Sequence, residues 1–358
     1  MFKKKSQQQK KGNIFSIFEF WPNEIFYTPI VFYWILKTLQ SRKSMTALLA
    51  NPRIETGGLC GESKSSILNM AGDWALKEIA PYVVMKNNQH TFSRLNFQLQ
   101  EKNITFPIVI KPDIGSNGIG VKKITSQEQL KQVLNLFPFG ITLIAQKLID
   151  FPLEAGIFFI RYPTKKYGKI TSITYKEEPM IIGDGKSSIL ELAQKNKRIA
   201  KLFTLYWPYI KPKAHQILQL GEIHTLVFAG NHRRGSIFWN GTADLTPALE
   251  QKINKILQDI PEFYFGRIDL KAKSKTDLFK GQNFKIIEIN GVGSEATHIW
   301  DRQTKLLTAY RDQFSHYDAA FKIGKLLKKQ TWMQSSLLQL IKAWKKHQKL
   351  ISSYPRND

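Results

Sequence analysis

The chain has 358 residues, 42% hydrophobic and 23% charged, enough for a sizeable core in two or three lobes. Its 53 Lys and Arg against 28 Asp and Glu leave a net charge of +25, which calls for a polyanionic partner: nucleic acid, anionic lipid or an acidic polymer. One cysteine, Cys60, excludes an intramolecular disulfide and any metal site built on two cysteines, and makes a reducing compartment the default.

In chain order, residues 1–11 read as a basic, polar, disordered tail. Residues 14–39 are rich in aromatics and begin like a secretory signal, but Glu19, Pro22, Glu24 and Pro29 interrupt them and no small-residue cleavage site follows. The clean apolar run, 25–36, falls short of the ~20 residues a bilayer span needs. Trp21, Tyr27, Tyr33 and Trp34, flanked by Lys37, Arg42 and Lys43, suit a membrane interface. A helix packed on the rest of the chain, or a dimer contact, is the other reading. Residues 45–52 are expected to form a strand. From Lys64 onward, Ile67, Leu68, Ala71, Trp74, Ala75 and Ile79 recur at helical spacing.

Strands are expected at 81–85, 106–111, 141–149, 169–175 and 220–229. Helices are expected at 92–102, 127–136 (capped by Ser126), 190–209 and 248–258, the last opened by Thr246-Pro247. Asp184-Gly185 makes a turn, with Ser187 or Ser188 as the cap that follows. Residues 304–358 are basic helices that suit either a membrane surface or docking with a solvated lysine face.

Two stretches carry chemistry. Residues 106–121, FPIVIKPDIGSNGIGV, turn a buried strand into a loop holding Gly115, Ser116, Asn117, Gly118 and Gly120. Bare backbone N–H groups of that kind cradle phosphate oxygens, and Lys111 precedes the loop on the strand. Neither P-loop nor Rossmann spacing is present. The second stretch is a pair of strands, FGRIDLK at 265–271 and FKIIEING at 284–291. Alternation puts Arg267 with Asp269, and Glu288 with Asn290, on one face each. As an antiparallel hairpin they would gather oxygen donors suited to Mg²⁺ beside an arginine. Ahead of this hairpin, Asn231, His232, Arg233 and Arg234 form a cationic loop placed to hold an anionic substrate or phosphate.

The order of lysine strand, glycine-rich loop, hinge, R-x-D and E-x-N resembles the ATP-grasp carboxylate–amine ligases over residues 59–301, most of all the D-alanine–D-alanine ligase and cyanophycin synthetase branches. The resemblance implies an α+β ATP-grasp fold, two α+β lobes gripping ATP, with a short aromatic N-terminal segment and basic C-terminal helices. The divisions would be 1–58, 59–305 (split into 59–140 and 141–305) and 306–358. It implies ATP and Mg²⁺, or Mn²⁺, as cofactors. Lys64 and Lys111 would reach the phosphates, the glycine loop would close over them, and Lys176 would reach the γ-phosphate. Gln146, the main chain of Lys147, Leu148 and Ile149, and Glu154 would hold adenine and ribose.

Asp269, Glu288 and Asn290 would hold the metal, and Arg267 would stabilise an acylphosphate formed from a small-molecule or carrier-linked carboxylate before an amine displaces phosphate. The dipeptide ligases carry a Pro-Gly turn after E-x-N; GVGSEAT stands here, which argues against D-alanine. A hydroxyl-phosphorylating kinase of the same fold and a non-catalytic anion-binding protein are the alternatives. Nucleic acid is disfavoured for want of a binding module. The expected place is the cytoplasm, on the inner face of the membrane if the terminal segments bind it, with a homodimer left open.

Overall fold

The computed structural model describes residues 14–41, 45–228, 231–328, 332 and 336–355. The basic tail, Arg42 and Lys43 lie outside them. The described chain is mixed α+β, with two antiparallel sheets facing one another across a cleft.

Before the first sheet come α1 (Asn23–Gln40), α2 (Lys64–Leu68) and α3 (Asp73–Glu78). The first sheet follows, with strand order β1-β4-β2-β3: β1 (Tyr82–Lys86), β2 (Ile108–Pro112), β3 (Lys122–Ile124) and β4 (Thr142–Lys147). Its core face takes Val83, Ile108, Ile110, Ile124 and Leu143 against α4 (Thr91–Glu101) and α5 (Gln127–Leu134). Leu95 and Leu99 are one turn apart on α4, so both face that core. Ser126 caps α5 by accepting from the Gln129 amide, as its position suggested. Strand β4 pairs with both β1 and β2, so residues 142–147 belong to this sheet.

The larger sheet has order β11-β10-β5-β6-β9, from β5 (Leu153–Ile160), β6 (Lys169–Glu177), β9 (Ile237–Asn240), β10 (Phe265–Ala272) and β11 (Phe284–Asn290). Strand β5 is buried on both faces, which is why it reads as an unbroken apolar run. Ile157 and Phe159 pack with α9 (Pro247–Gln258) through Leu249, Ile253 and Ile256. Phe158, on the alternate face, packs with α11 (Leu306–Leu327). A smaller cluster is built from hairpin β7 (Met180–Ile182) and β8 (Ile223–Thr225) with α6 (Ile189–Lys195), α7 (Lys197–Lys201) and α8 (Phe203–Ile210). Ser188, with Glu191 completing a capping box, starts α6. The short α10 (Lys275–Phe279) fills the β10–β11 connection, and α12 (Leu337–Ser353) comes last.

Two expectations are corrected. Residues 45–52 are not a strand: Thr46–Ala50 is a 3-10 helix, buried along its whole length against α11. A Cβ on Gly324 would lie 1.7 Å from the Thr46 carbonyl oxygen, so the two backbones touch and no strand partner could fit between them. Of the strand expected at 220–229, Ile223–Thr225 forms β8, paired with the three-residue β7, and Ala229 lies outside the described residues.

Helix α1 packs on the larger lobe through Phe26 and Ile30, which meet Trp300 and Tyr310. Its opposite face leaves Ile25, Val31, Phe32, Ile35, Leu36 and Leu39 exposed. Among the described residues no helix is long and apolar enough to cross a membrane.

His316 ties α11 to the sheet, stacked on Phe158 at 4.4 Å and bonded to the Thr171 hydroxyl at 3.1 Å. Burial pushes its pKa down to about 4, with His298 adding to the effect and Asp312 opposing it. A buried neutral imidazole with a lowered pKa stabilises the fold above the unfolded value, near 6.5, and that contribution is lost as pH falls toward 4. We expect the protein to lose about 2 kcal/mol between pH 7 and pH 5 through this group. Denaturant melts at the two pH values should show it, and His316→Asn should flatten the slope; an unchanged slope would contradict the assignment.

Candidate active site

The cleft between the sheets, about 570 Å³, is walled at one end by α2 and the glycine-rich loop. Asp113, at the end of β2, accepts from the Ser65 amide at 2.7 Å, and its carbonyl accepts from the Lys64 amide, so the start of α2 is fastened to the lysine strand. Lys64 donates to the Gly115 carbonyl at 2.7 Å and pairs with Glu288 at 3.1 Å. Lys111 is 8% exposed and donates to Gln146 Oε1 at 2.9 Å and to the Ile287 carbonyl at 3.0 Å. No ion pair of Lys111 occurs among the described residues, and burial lowers its pKa despite Glu288 nearby. Lys64 goes the other way: burial lowers its pKa, but Glu288 and Glu62 outweigh it.

At the hinge the backbone is more engaged than the resemblance implied. The amides of Lys147 and Leu148 donate to the carbonyls of Pro81 and Pro107. Of the three amides at 147–149, that of Ile149 alone lacks a hydrogen bond among the described residues, and Ile149 lines the cleft. Gln146 is 3% exposed and is held by Lys111 and by the Ala80 carbonyl at 3.3 Å. Its seat orients the lysine as well as facing the cleft. Glu154 pairs with Lys176 at 2.9 Å and with Lys271 at 3.7 Å. Burial raises its pKa, but the two lysines more than reverse that. Lys176 also pairs with Glu178 at 2.9 Å, and these carboxylates hold its pKa above the usual lysine value against burial.

The facing wall is the antiparallel β10–β11 hairpin. Its register sets Arg267 opposite Asn290 and Asp269 opposite Glu288, as the alternation required. Arg267 grips Asp269 with two parallel bonds, 2.8 and 3.0 Å, and donates a third to the Glu295 carbonyl at 3.1 Å. Asn290 donates to Asp269 at 3.1 Å. Burial pushes the Glu288 carboxyl up, but Lys64, Lys111 and Arg267 bring it down to about 2, so it is ionised at neutral pH. Among the described residues no group of three His, Cys, Asp or Glu converges as a metal cage. Two carboxylates and an amide nevertheless suit Mg²⁺, which keeps several waters and shares its shell with phosphates. Lys64 and Arg267 hold those carboxylates here and would have to yield part of them.

At the far end Arg233 lines the cleft and donates to the Trp21 carbonyl at 3.1 Å, which fixes it to the N-terminal segment. His232 stacks on Trp300 at 4.0 Å, and burial, then Arg233, lowers its pKa to about 3. Asn231 caps this turn and donates to the Asn117 carbonyl, linking it to the glycine loop. Arg234 is corrected: it lies outside the cleft lining and donates to the Tyr209 hydroxyl. Gly120 lies behind the lining as well, while Gly115, Ser116, Asn117 and Gly118 form it.

Several lining residues escaped the sequence. Lys271 is the next alternate position after Arg267 and Asp269, so period-two reading could have found it. Glu295 and Tyr27 gave no signal, being 268 positions apart, yet the tyrosine hydroxyl donates to the carboxylate at 2.9 Å inside the cleft. Tyr27 is therefore a cleft residue and not a membrane-interface one.

No family model and no curated protein matches this sequence. Solved structures do. A D-alanine–D-alanine ligase from Bacillus anthracis shares 14% identity, with a TM-score of 0.44 over 76% of this chain and 69% of that one. The VanG D-Ala:D-Ser ligase from Enterococcus faecalis shares 14%, with 0.41 over 73% and 63%. A carboxyaminoimidazole ribonucleotide synthase from Aspergillus clavatus, complexed with ATP, shares 9%, with 0.41 over 73% and 53%. This chain spans less than two thirds of the last two proteins, and at these identities and scores the chemistry has to come from the site's own geometry.

Proposed function

We propose that the protein is an ATP- and Mg²⁺-dependent ligase that activates a carboxylate as its acylphosphate and joins it to an amine. The observation that carries this reading is Lys111: a buried ammonium whose partners are an amide and a carbonyl, aimed into a cleft beside a glycine-rich loop. Lys111 has no ion pair of its own among the described residues, the nearby Glu288 being bonded to Lys64, and a polyphosphate supplies it with a direct counter-charge. The substrate carboxylate oxygen attacks the γ-phosphorus and ADP leaves. The amine nitrogen then attacks the acyl carbon, phosphate leaves, and the nitrogen gives up a proton.

Such transfer depends on positioning and charge neutralisation. Lys64 and Lys111 hold the phosphates, Lys176 approaches the transferred group, and Gly115, Ser116, Asn117 and Gly118 cover it. Ile149 offers its amide to adenine, and Glu154 turns from Lys176 to the ribose hydroxyls. Mg²⁺, held by Asp269, Glu288 and Asn290, would neutralise charge on the phosphates. Arg267 faces the acylphosphate, and Arg233 holds the anionic end of the carboxylate substrate. Hydroxylamine is the test: with MgATP and a pool of carboxylates, the ligase yields ADP and a hydroxamate. A stable phosphate ester in its place would make the protein a kinase.

Because Gly291–Thr297 stands where the dipeptide ligases carry their Pro-Gly turn, D-alanine alone should yield no D-alanyl-D-alanine above background; a robust dipeptide would overturn this. We also place the protein on the cytoplasmic face of a membrane. The uncovered apolar face of α1, and Leu337, Leu338, Ile341 and Trp344 beside Lys342, Lys345, Lys346 and Lys349 on α12, fit an anionic leaflet. Co-sedimentation with anionic liposomes should succeed at low salt and fail at high salt. No binding at low salt would return both helices to ordinary packing.

A further inference from the structure

The inner face of α12 touches both segments that wall the phosphate end of the cleft. At its middle, Ala343 is buried, and its carbonyl oxygen lies 3.1 Å from where a Cβ on Gly61 would sit, just ahead of Lys64. One turn on, His347 reaches the cleft wall. Leu350 and Ile351 then pack on the core of the smaller sheet. Tyr354, the residue that closes the helix, is 8% exposed and sits against the glycine-rich loop. Its hydroxyl donates to the Ile114 carbonyl at 2.7 Å. Its side-chain carbons lie 3.3 Å and 3.9 Å from the Cβ positions of Gly120 and Gly115, the glycines that bracket the cleft-lining Ser116, Asn117 and Gly118. Gly120 has φ +74°, and a Cβ there would meet Pro112 at 2.9 Å and the Tyr354 Cβ at 3.3 Å, so proline and tyrosine both pack against it.

We infer that Tyr354 is a positioning residue for the nucleotide phosphates, acting through the glycine-rich loop; this rests on the nucleotide reading of the cleft. Glycines lose more conformational freedom on ordering than other residues, so a glycine loop that closes over phosphates pays that entropy at binding unless something orders it beforehand. A tyrosine whose Cβ packs at Gly120 and whose ring edge packs at Gly115, with a hydrogen bond to the Ile114 carbonyl, does so. The expected gain is in affinity for the groups the loop covers, and not for adenine or ribose.

The test compares MgATP with AMP, which lacks the β- and γ-phosphates, by calorimetry on the full-length protein. Tyr354→Phe keeps the ring and loses the bond to Ile114, and MgATP should bind ~3- to 10-fold more weakly while AMP is unchanged. Tyr354→Ala should weaken MgATP further, again sparing AMP. Equal losses for both nucleotides in the Phe variant, or no loss for MgATP, would overturn the inference and leave Tyr354 as packing. Wild-type protein that binds neither nucleotide overturns the cleft reading itself, a different result from a phosphate-selective loss in the variants.

Discussion

Glu288→Gln should reduce Mg²⁺-dependent ATP turnover by at least ~10³-fold and lower the melting temperature without preventing folding, because Lys64, Lys111 and Arg267 lose a shared buried carboxylate. The carboxylate is ionised because Lys64, Lys111 and Arg267 surround it, and it faces Asp269 across the hairpin. Glutamine keeps the shape and an acceptor for Lys64 but supplies no charge to a divalent ion. Asp269→Asn should act alike, and the double variant should show no residual metal dependence. ADP release in a coupled assay, with a thermal melt of the same preparation, reads both quantities. A double variant that consumes ATP at the wild-type rate would remove the metal from Asp269 and Glu288.

Arg267→Lys should lower kcat by ~10²- to 10³-fold while KM for ATP moves little. Lysine keeps the charge beside Asp269 but cannot reproduce the two parallel bonds to that carboxylate and the third to the Glu295 carbonyl. Arg267→Met is the harsher change, since it strands the Asp269 carboxylate. It should destabilise the fold by ~3–5 kcal/mol in addition to its effect on rate. If KM for ATP rose and kcat held, the arginine would be a nucleotide ligand and not a group that stabilises charge on the transferred phosphoryl.

The β10–β11 hairpin was legible because alternation in two short strands allows only one shared face, and the observed register pairs the residues it named. Lys111 and the glycine loop were legible for the same local reason. What escaped depends on contacts distant in sequence. Nothing in residues 45–52 announces that Thr46–Ala50 is buried along its whole length, between α11 and the larger lobe, and so need not alternate. Gln146 reads as a free hinge amide until Lys111, 35 positions away, is seen to occupy its oxygen. Arg233 and Arg234 are neighbours of equal charge, and only the placement of Trp21 and Tyr209 sends one into the cleft and the other away. The aromatic N-terminal segment suggested a membrane by composition, yet one side of it, through Tyr27, completes the cleft.

On the function proposed above, the cleft between the two sheets takes MgATP on Lys111. Titration calorimetry with a non-hydrolysable ATP analogue and Mg²⁺ tests it most directly. Binding should be saturable and one-to-one, require the metal, and weaken at least ~10-fold in Lys111→Ala with the melting temperature retained. Equal affinity in wild-type and variant, or no binding at millimolar analogue, would contradict it.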